Sequence, residues 1–164
     1  MKKVTLILLG VVFSLSIQAQ HVFDKGSLMF NGGIGMPYNY YSFMPTFNFS
    51  GEYGAIPTGD VGLVSFGGLV EMQINPNSGY ATFYMAVGPR AYWHLHVFES
   101  DKWDVYGGAG FGMLFRGGGT AGAVSGYGEG FVGGRMMFSE KFGLYAEAGG
   151  GARSFMRFGV TFGF

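Results

Sequence analysis

The residues of this chain best able to do chemistry are charged side chains set singly into apolar runs. Glu52, Glu71, Glu129, Glu147, Arg90, Arg135 and Arg157 each stand between glycine or apolar neighbours. Carboxylates can act as general acids or bases, and guanidiniums can fork onto carboxylates. Four acidic groups against three basic ones is close to balance, and an enclosed charge is costly unless paired and hydrogen-bonded. An ion-pair network is therefore expected rather than a set of separate catalytic groups. His94 and His96 share one face, a spacing that can begin a metal site or supply a general base. No carboxylate partner is evident beside them, and Ser100 falls in a turn. They read as histidines near an interface. No catalytic, cofactor or metal residue is expected. The chain has no cysteine, which excludes disulfides, thiol catalysis and thiolate metal sites.

The elements that must hold these charges are strands. In the last eleven residues, Met156, Phe158, Val160, Phe162 and Phe164 alternate with Phe155, Arg157, Gly159, Thr161 and Gly163. Period 2 places the two sets on opposite faces of one strand. The same alternation recurs over Gly26–Met36, Pro45–Gly54, Val61–Gln73, Tyr80–Val97, Trp103–Phe115, Gly126–Phe138 and Phe142–Gly149. In Val61–Gln73 the second face is partly apolar, through Leu63 and Leu69. The breaks are Pro37–Ser42, Ile56–Asp60, Asn75–Gly79, Glu99–Lys102, a Gly-rich loop over Arg116–Ser125, Ser139–Lys141 and Gly150–Arg153. Proline, glycine, asparagine and charge mark them as turns. Eight strands of about ten residues match the smallest common transmembrane barrel. Pro89 lacks an N–H in the middle of such a strand, so a bulge or an irregular hydrogen bond is expected there.

The first residues read as a processing segment. Lys2 and Lys3 precede a mostly apolar stretch from Val4 to Ile17, and Gln18-Ala19-Gln20 is a plausible cleavage zone. Such a stretch is short of the roughly 20 residues a spanning helix needs, so 1–19 reads as a signal peptide and 20–164 as the domain. Losing two lysines leaves eight basic residues against ten acidic, a net of −2. No basic surface points to nucleic acid.

Alternation alone does not say which face meets solvent. A soluble barrel turns its apolar face inward and covers the other with Lys and Glu. Here the polar face holds mostly Gly, Ser, Thr and Tyr, and lysines are confined to strand ends and turns, as Lys25, Lys102 and Lys141. A narrow lumen accounts for this, because an eight-stranded barrel is just filled by side chains. Glycines on that face (Gly33, Gly67, Gly108, Gly110, Gly112) would relieve crowding, whereas Gly32 and Gly68 fall on the apolar face without evident reason. Tyr38, Tyr40, Tyr41, Tyr80 and Tyr127 are expected at one rim, and Trp93, Trp103 and Phe142 at the other, as interfacial girdles. The fold expected is all-β, an eight-stranded antiparallel up-and-down transmembrane β-barrel. Its last strand should pair with its first, since a membrane barrel leaves no edge unpaired.

With these features the chain resembles small outer-membrane β-barrels of Gram-negative bacteria. It is similar to OmpX/OmpA-type barrels and especially to the outer-membrane β-barrel domain proteins of Bacteroidota. The likeness rests on the signal segment ending Gln18-Ala19-Gln20, on Glu52-Tyr53-Gly54, on Asp104-Val105-Tyr106-Gly107-Gly108 and on the terminal Phe158, Val160, Phe162 and Phe164. The resemblance implies an outer-membrane location with both termini periplasmic. It implies outer-membrane lipids, periplasmic chaperones and the barrel-assembly machinery as partners, with Phe158, Val160, Phe162 and Phe164 as the assembly signal. A monomer is expected.

The function expected is a structural or interaction role in the outer membrane, with a side-chain-plugged lumen and no catalysis. The alternatives are a lipid-modifying enzyme of the same fold, a narrow pore, and a secreted soluble barrel binding a lipophilic ligand.

Overall fold

The structure is a computed structural model that describes residues 21–38, 44–76, 81–96, 100, 102–118 and 122–164. It contains eight strands: β1 (Leu28–Pro37), β2 (Thr46–Pro57), β3 (Gly62–Asn75), β4 (Thr82–Leu95), β5 (Trp103–Gly117), β6 (Ala123–Ser139), β7 (Phe142–Gly150) and β8 (Ser154–Gly163). Each pairs antiparallel with its neighbours in chain order, and β8 closes onto β1. The seam runs from Met29↔Gly163 to Met36↔Met156. Both described ends of the chain and the β2–β3, β4–β5 and β6–β7 connections share one end of the barrel, called here the terminal end. The other four connections form the distal end.

Alternation sorts the side chains as period 2 demands. Phe47, Phe49, Phe66, Phe111, Met113, Val132 and Phe158 are exposed on the outer surface, whereas Asn48, Glu52, Leu63, Leu69, Arg90 and Glu129 are buried inside. Glycine follows the same division. A Cβ added to inward Gly110 would lie 3.0 Å from Arg90 Cγ and from Glu129 Oε1, so that position must stay bare for the two charged chains to meet. Outward Gly128 has open space. The bare outer positions also acquire a reason, because Gly32 pairs with Phe49 and Gly51 with Phe30. Each phenylalanine ring lies over its glycine partner, at 3.6 Å and 3.0 Å from where a Cβ would stand. Gly68 has no such partner, and nothing in the structure explains it.

Several expectations need correcting. Arg116–Ser125 is not a loop throughout, since Leu114↔Ser125, Phe115↔Val124 and Arg116↔Ala123 continue the β5–β6 ladder. Small residues hide alternation there, but hairpin pairing overrides weak strand propensity. The turn expected over Ile56–Asp60 shifts toward β3. β2 continues to Pro57 through a register shift between Gly54 and Ile56. Gly59, with φ of +71°, supplies the left-handed conformation for the 3-10 turn Gly59–Val61.

Phe155 points outward rather than into the lumen. The β1–β8 register slips between Met36 and Pro37, which pairs Ser154 with Pro37 and turns Ser154 inward. One extra residue on one strand reverses the faces beyond it. Tyr127 belongs to no girdle, because its ring packs inside against Leu69, Ala86 and Ala152. Pro89 takes the second of its two expected forms, an interrupted ladder rather than a bulge. Val87↔Met113 and Arg90↔Gly110 keep one register, with the pairs between them missing. Tyr38, Trp93, Trp103 and Phe142 are exposed at the expected ends, whereas Tyr40, Tyr41, Tyr80 and the segment 1–19 lie outside the described residues.

Candidate functional site

The lumen is filled in layers, and its charges form two clusters. The deeper one joins Arg90 of β4 and Arg157 of β8 to Glu71 of β3, Glu129 of β6 and Glu147 of β7. Arg90 forks onto Glu129, with Nε donating to Oε1 at 2.6 Å and Nη2 to Oε2 at 2.9 Å. Its third nitrogen donates to Glu147 Oε2 at 3.0 Å. Arg157 Nη2 donates to Glu71 Oε2 at 3.0 Å and to Glu129 Oε2 at 3.2 Å. Hydroxyls satisfy the remaining carboxylate oxygens. Thr46 donates to Glu71 Oε1 at 2.7 Å, Tyr106 to Glu147 Oε1 at 3.2 Å, and Ser154 to Glu71.

The second cluster lies toward the terminal end. Arg135 of β6 contacts Glu52 of β2 and donates to Asp104 Oδ2 of β5 at 3.0 Å. His94 of β4 completes the ring, with Nε2 2.8 Å from Glu52 Oε2 and Nδ1 2.9 Å from Asp104 Oδ1. Ser65 donates to Glu52 Oε2 at 2.6 Å. Tyr92 and Tyr106 lie between the two clusters, with Phe131 packed against them. The Arg90 guanidinium is 4.3 Å from the Phe131 ring centre, and that of Arg135 is 4.6 Å from Tyr106. Such cation–ring contacts contribute about 2 kcal/mol when desolvated.

All seven charged residues singled out from the sequence are therefore inside, buried, and within one or other cluster. His94 and Asp104 were missed. The sequence placed His94 near an interface without a carboxylate, but it is fully buried between two. The available signal was phase: Asp104 alternates with Trp103 and Val105, so it points inward like the other acids. Which strands then bring it against His94 is a matter of register. His96 lies beyond β4, partly exposed, with its ring stacked on His21 at 3.7 Å.

Ser65, His94 and Asp104 also line up as a nucleophile, base and acid would, with Ser65 Oγ 3.0 Å from His94 Nε2. The environment does not suit that chemistry. Both ring nitrogens face carboxylates, which accept hydrogen bonds and give none. The Ser65 hydroxyl is directed to Glu52, and neither Ser65 nor His94 has any exposed surface. As packed here, neither is open to a substrate carbonyl. Among the described residues, no group of three or more His, Asp or Glu has the geometry to hold a metal ion.

No protein-family model matches the sequence, and no curated protein matches it. A solved structure shares the fold. The N-terminal β-barrel domain of Pseudomonas aeruginosa OprF superposes with a TM-score of 0.54 at 15% identity, over 85% of this chain and 98% of that one. A loop-deletion variant of OmpT, an outer membrane protein of Vibrio cholerae, aligns over 74% of this chain and 38% of that one, at 21% identity and a TM-score of 0.30. This chain is thus an eight-stranded up-and-down β-barrel sharing the fold of the OprF barrel domain.

Proposed function

We propose that the mature chain is a small outer-membrane barrel with a structural or interaction role, a lumen plugged by its own side chains, and no catalysis. One observation carries the reading: the barrel is inside-out. Charged and hydrogen-bonding groups fill the interior, and phenylalanine, valine, tryptophan and methionine cover the exterior. In water that exterior would be an extensive exposed apolar patch, whereas in lipid it is the favourable surface. A soluble lipophile carrier is disfavoured for the same reason, since its cavity would have to be apolar.

The lumenal pairs leave little room for a steady ion path, so a large pore is disfavoured. Burial of Ser65 and His94 argues against hydrolysis of lipid. On this reading 1–19 is a cleaved signal peptide, both termini are periplasmic, and Phe158, Val160, Phe162 and Phe164 present the assembly machinery with an apolar edge. The chain then belongs with OmpX/OmpA-type barrels. An interaction role falls to the distal rim, where the β5–β6 ladder continues to Ala123 while the β6–β7 ladder ends at Gly130.

The decisive experiment is fractionation with heat-modifiable gel migration. The protein is expected in outer membranes, with the unheated form running fast. Recovery in the soluble periplasmic fraction would overturn the proposal. In planar bilayers the purified barrel is expected to show at most small, rare conductances.

A further inference from the structure

Residues 21–27 precede β1 and enter the terminal mouth of the barrel. Phe23 is 1% exposed and packs against Met29, Leu63 and Met137, three side chains of the lumen wall, with Val22 beside them. Its ring stacks on His94 at 4.1 Å and lies 5.6 Å from the Arg135 guanidinium. It thereby covers the second charge cluster.

Behind it the chain makes a tight turn. Ser27 N donates to Asp24 O and Asp24 N to Ser27 Oγ, both at 3.0 Å, and Gly26 adopts a φ of +90°. Gly26 N and Gly54 O then join the segment to β2 at 2.9 Å. In front of Phe23, the His21 ring lies parallel on His96, with ring centres 3.7 Å apart and an angle of 10°.

We propose that His21–Phe23 is a stopper for the terminal mouth, seated by Phe23, latched by the His21–His96 stack and released by acid. Two imidazoles stack well while neutral and repel when both are charged. The surroundings decide how that balance responds to pH. Burial and the neighbouring His21 hold His96 below its ordinary value of 6.5, against the opposing pull of the Phe23 backbone, Asp24 and Asp104. His21 also lines a cavity of about 430 Å³ with Lys102 and Glu140. On the inner side the stopper faces His94, with Glu52, Asp104 and Arg135 around it.

The sign follows from proton linkage. A seated His96 resists the proton that a released one accepts near its ordinary value. Seating is therefore strongest above that value and weakens as pH falls through it. The proposal rests on the reading of the chain as a barrel with a filled lumen, and it adds a movable part to that filling.

The chain's lack of cysteine makes the test direct. Leu63→Cys places a thiol behind the stopper and Asp60→Cys places one in the exposed turn, each in the full mature barrel. The reagent is 4,4′-dithiodipyridine, which modifies thiols in acid as well as at neutrality. The rate ratio of Leu63→Cys to Asp60→Cys is expected to be low near pH 7.5 and to rise about tenfold near pH 5, within what one histidine's linkage can supply. Phe23→Ala should raise the ratio at both pH values, and His96→Phe, which keeps the stack without titrating, should hold it low at both.

Heat-modifiable migration checks the fold throughout, and Met29→Cys reports on the same seat if Leu63→Cys fails to fold. A ratio unmoved by acid, a ratio still low in Phe23→Ala, or an undiminished acid response in His96→Phe would each overturn the proposal. Conductance separates this from the broader reading. A large steady conductance near pH 7.5 would break the plugged barrel itself, whereas pH-independent labelling with low conductance would break only the stopper.

Discussion

The two charge clusters of the lumen solve the same problem differently. The deeper one uses two guanidiniums against three carboxylates, and Arg90 alone directs three of its nitrogens at Glu129 and Glu147. The cluster near the terminal end sets two side chains, Arg135 and His94, against the same pair of acids, Glu52 and Asp104. One is enclosed by the barrel wall, and the other is covered by a residue from outside the strands, Phe23. Losing Arg90 leaves Arg157 alone against Glu71, Glu129 and Glu147, whereas losing Arg135 leaves His94 between both of its acids. The contrast shows that buried charge can be organised for rigidity or for tolerance within a single barrel.

The largest effect is expected from Arg90→Met, which removes the forked pair to Glu129 and the contact to Glu147, leaves Arg157 as the one guanidinium against three carboxylates, and should cost about 3–5 kcal/mol in urea unfolding from micelles. Arg135→Met should cost less, about 1.5–3 kcal/mol, because His94 stays between the two acids. If the order reverses, the idea that Arg90 is harder to replace than Arg135 is wrong.

The next effect compares inside with outside. Val132→Arg puts a charge on the outer face and should destabilise the barrel in bilayers by about 2–4 kcal/mol if that position lies at the midplane. A neutral outcome there would mean that Val132 meets water.

Smaller again is Gly110→Ala, whose methyl would press on Arg90 and Glu129. Overpacking of this kind costs about 1–3 kcal/mol, read from the same unfolding curves. Gly128→Ala, facing open space, should stay within about 0.5 kcal/mol. Equal costs at the two glycines would show that the deeper cluster has slack that the contacts conceal. Deleting Phe164 belongs apart from these. It should slow insertion in cells more than it lowers the stability of a barrel already formed, and normal assembly would remove the terminal strand's role as a signal.

Much of the lumen is legible in the amino-acid sequence. Arg157 between Met156 and Phe158, or Glu71 between Val70 and Met72, reveals its face from its neighbours alone. Alternation misleads where the phase changes or where no side chain marks it. Counting back through β8 puts Phe155 inward, but a register slip at Met36/Pro37 reverses the phase, and no local residue announces it. Residues 116–125 read as a loop because glycine and alanine carry no face. His94 seems partnerless because Asp104 and Glu52, its two acids, come from other strands.

Alternation, composition and the placement of lysines were enough to determine eight strands, their faces and the sense of the barrel. Those features depend on the pleat, which repeats every two residues wherever the strand goes. Which charge meets which was a matter for the tertiary structure. Pairing across a lumen depends on strand order and stagger, and these bring Arg90 to Glu147 across 57 residues of chain and Arg135 to Glu52 across 83. The seating of Phe23 lies further still from sequence, since a lone aromatic ahead of the first strand has no period to show where it points.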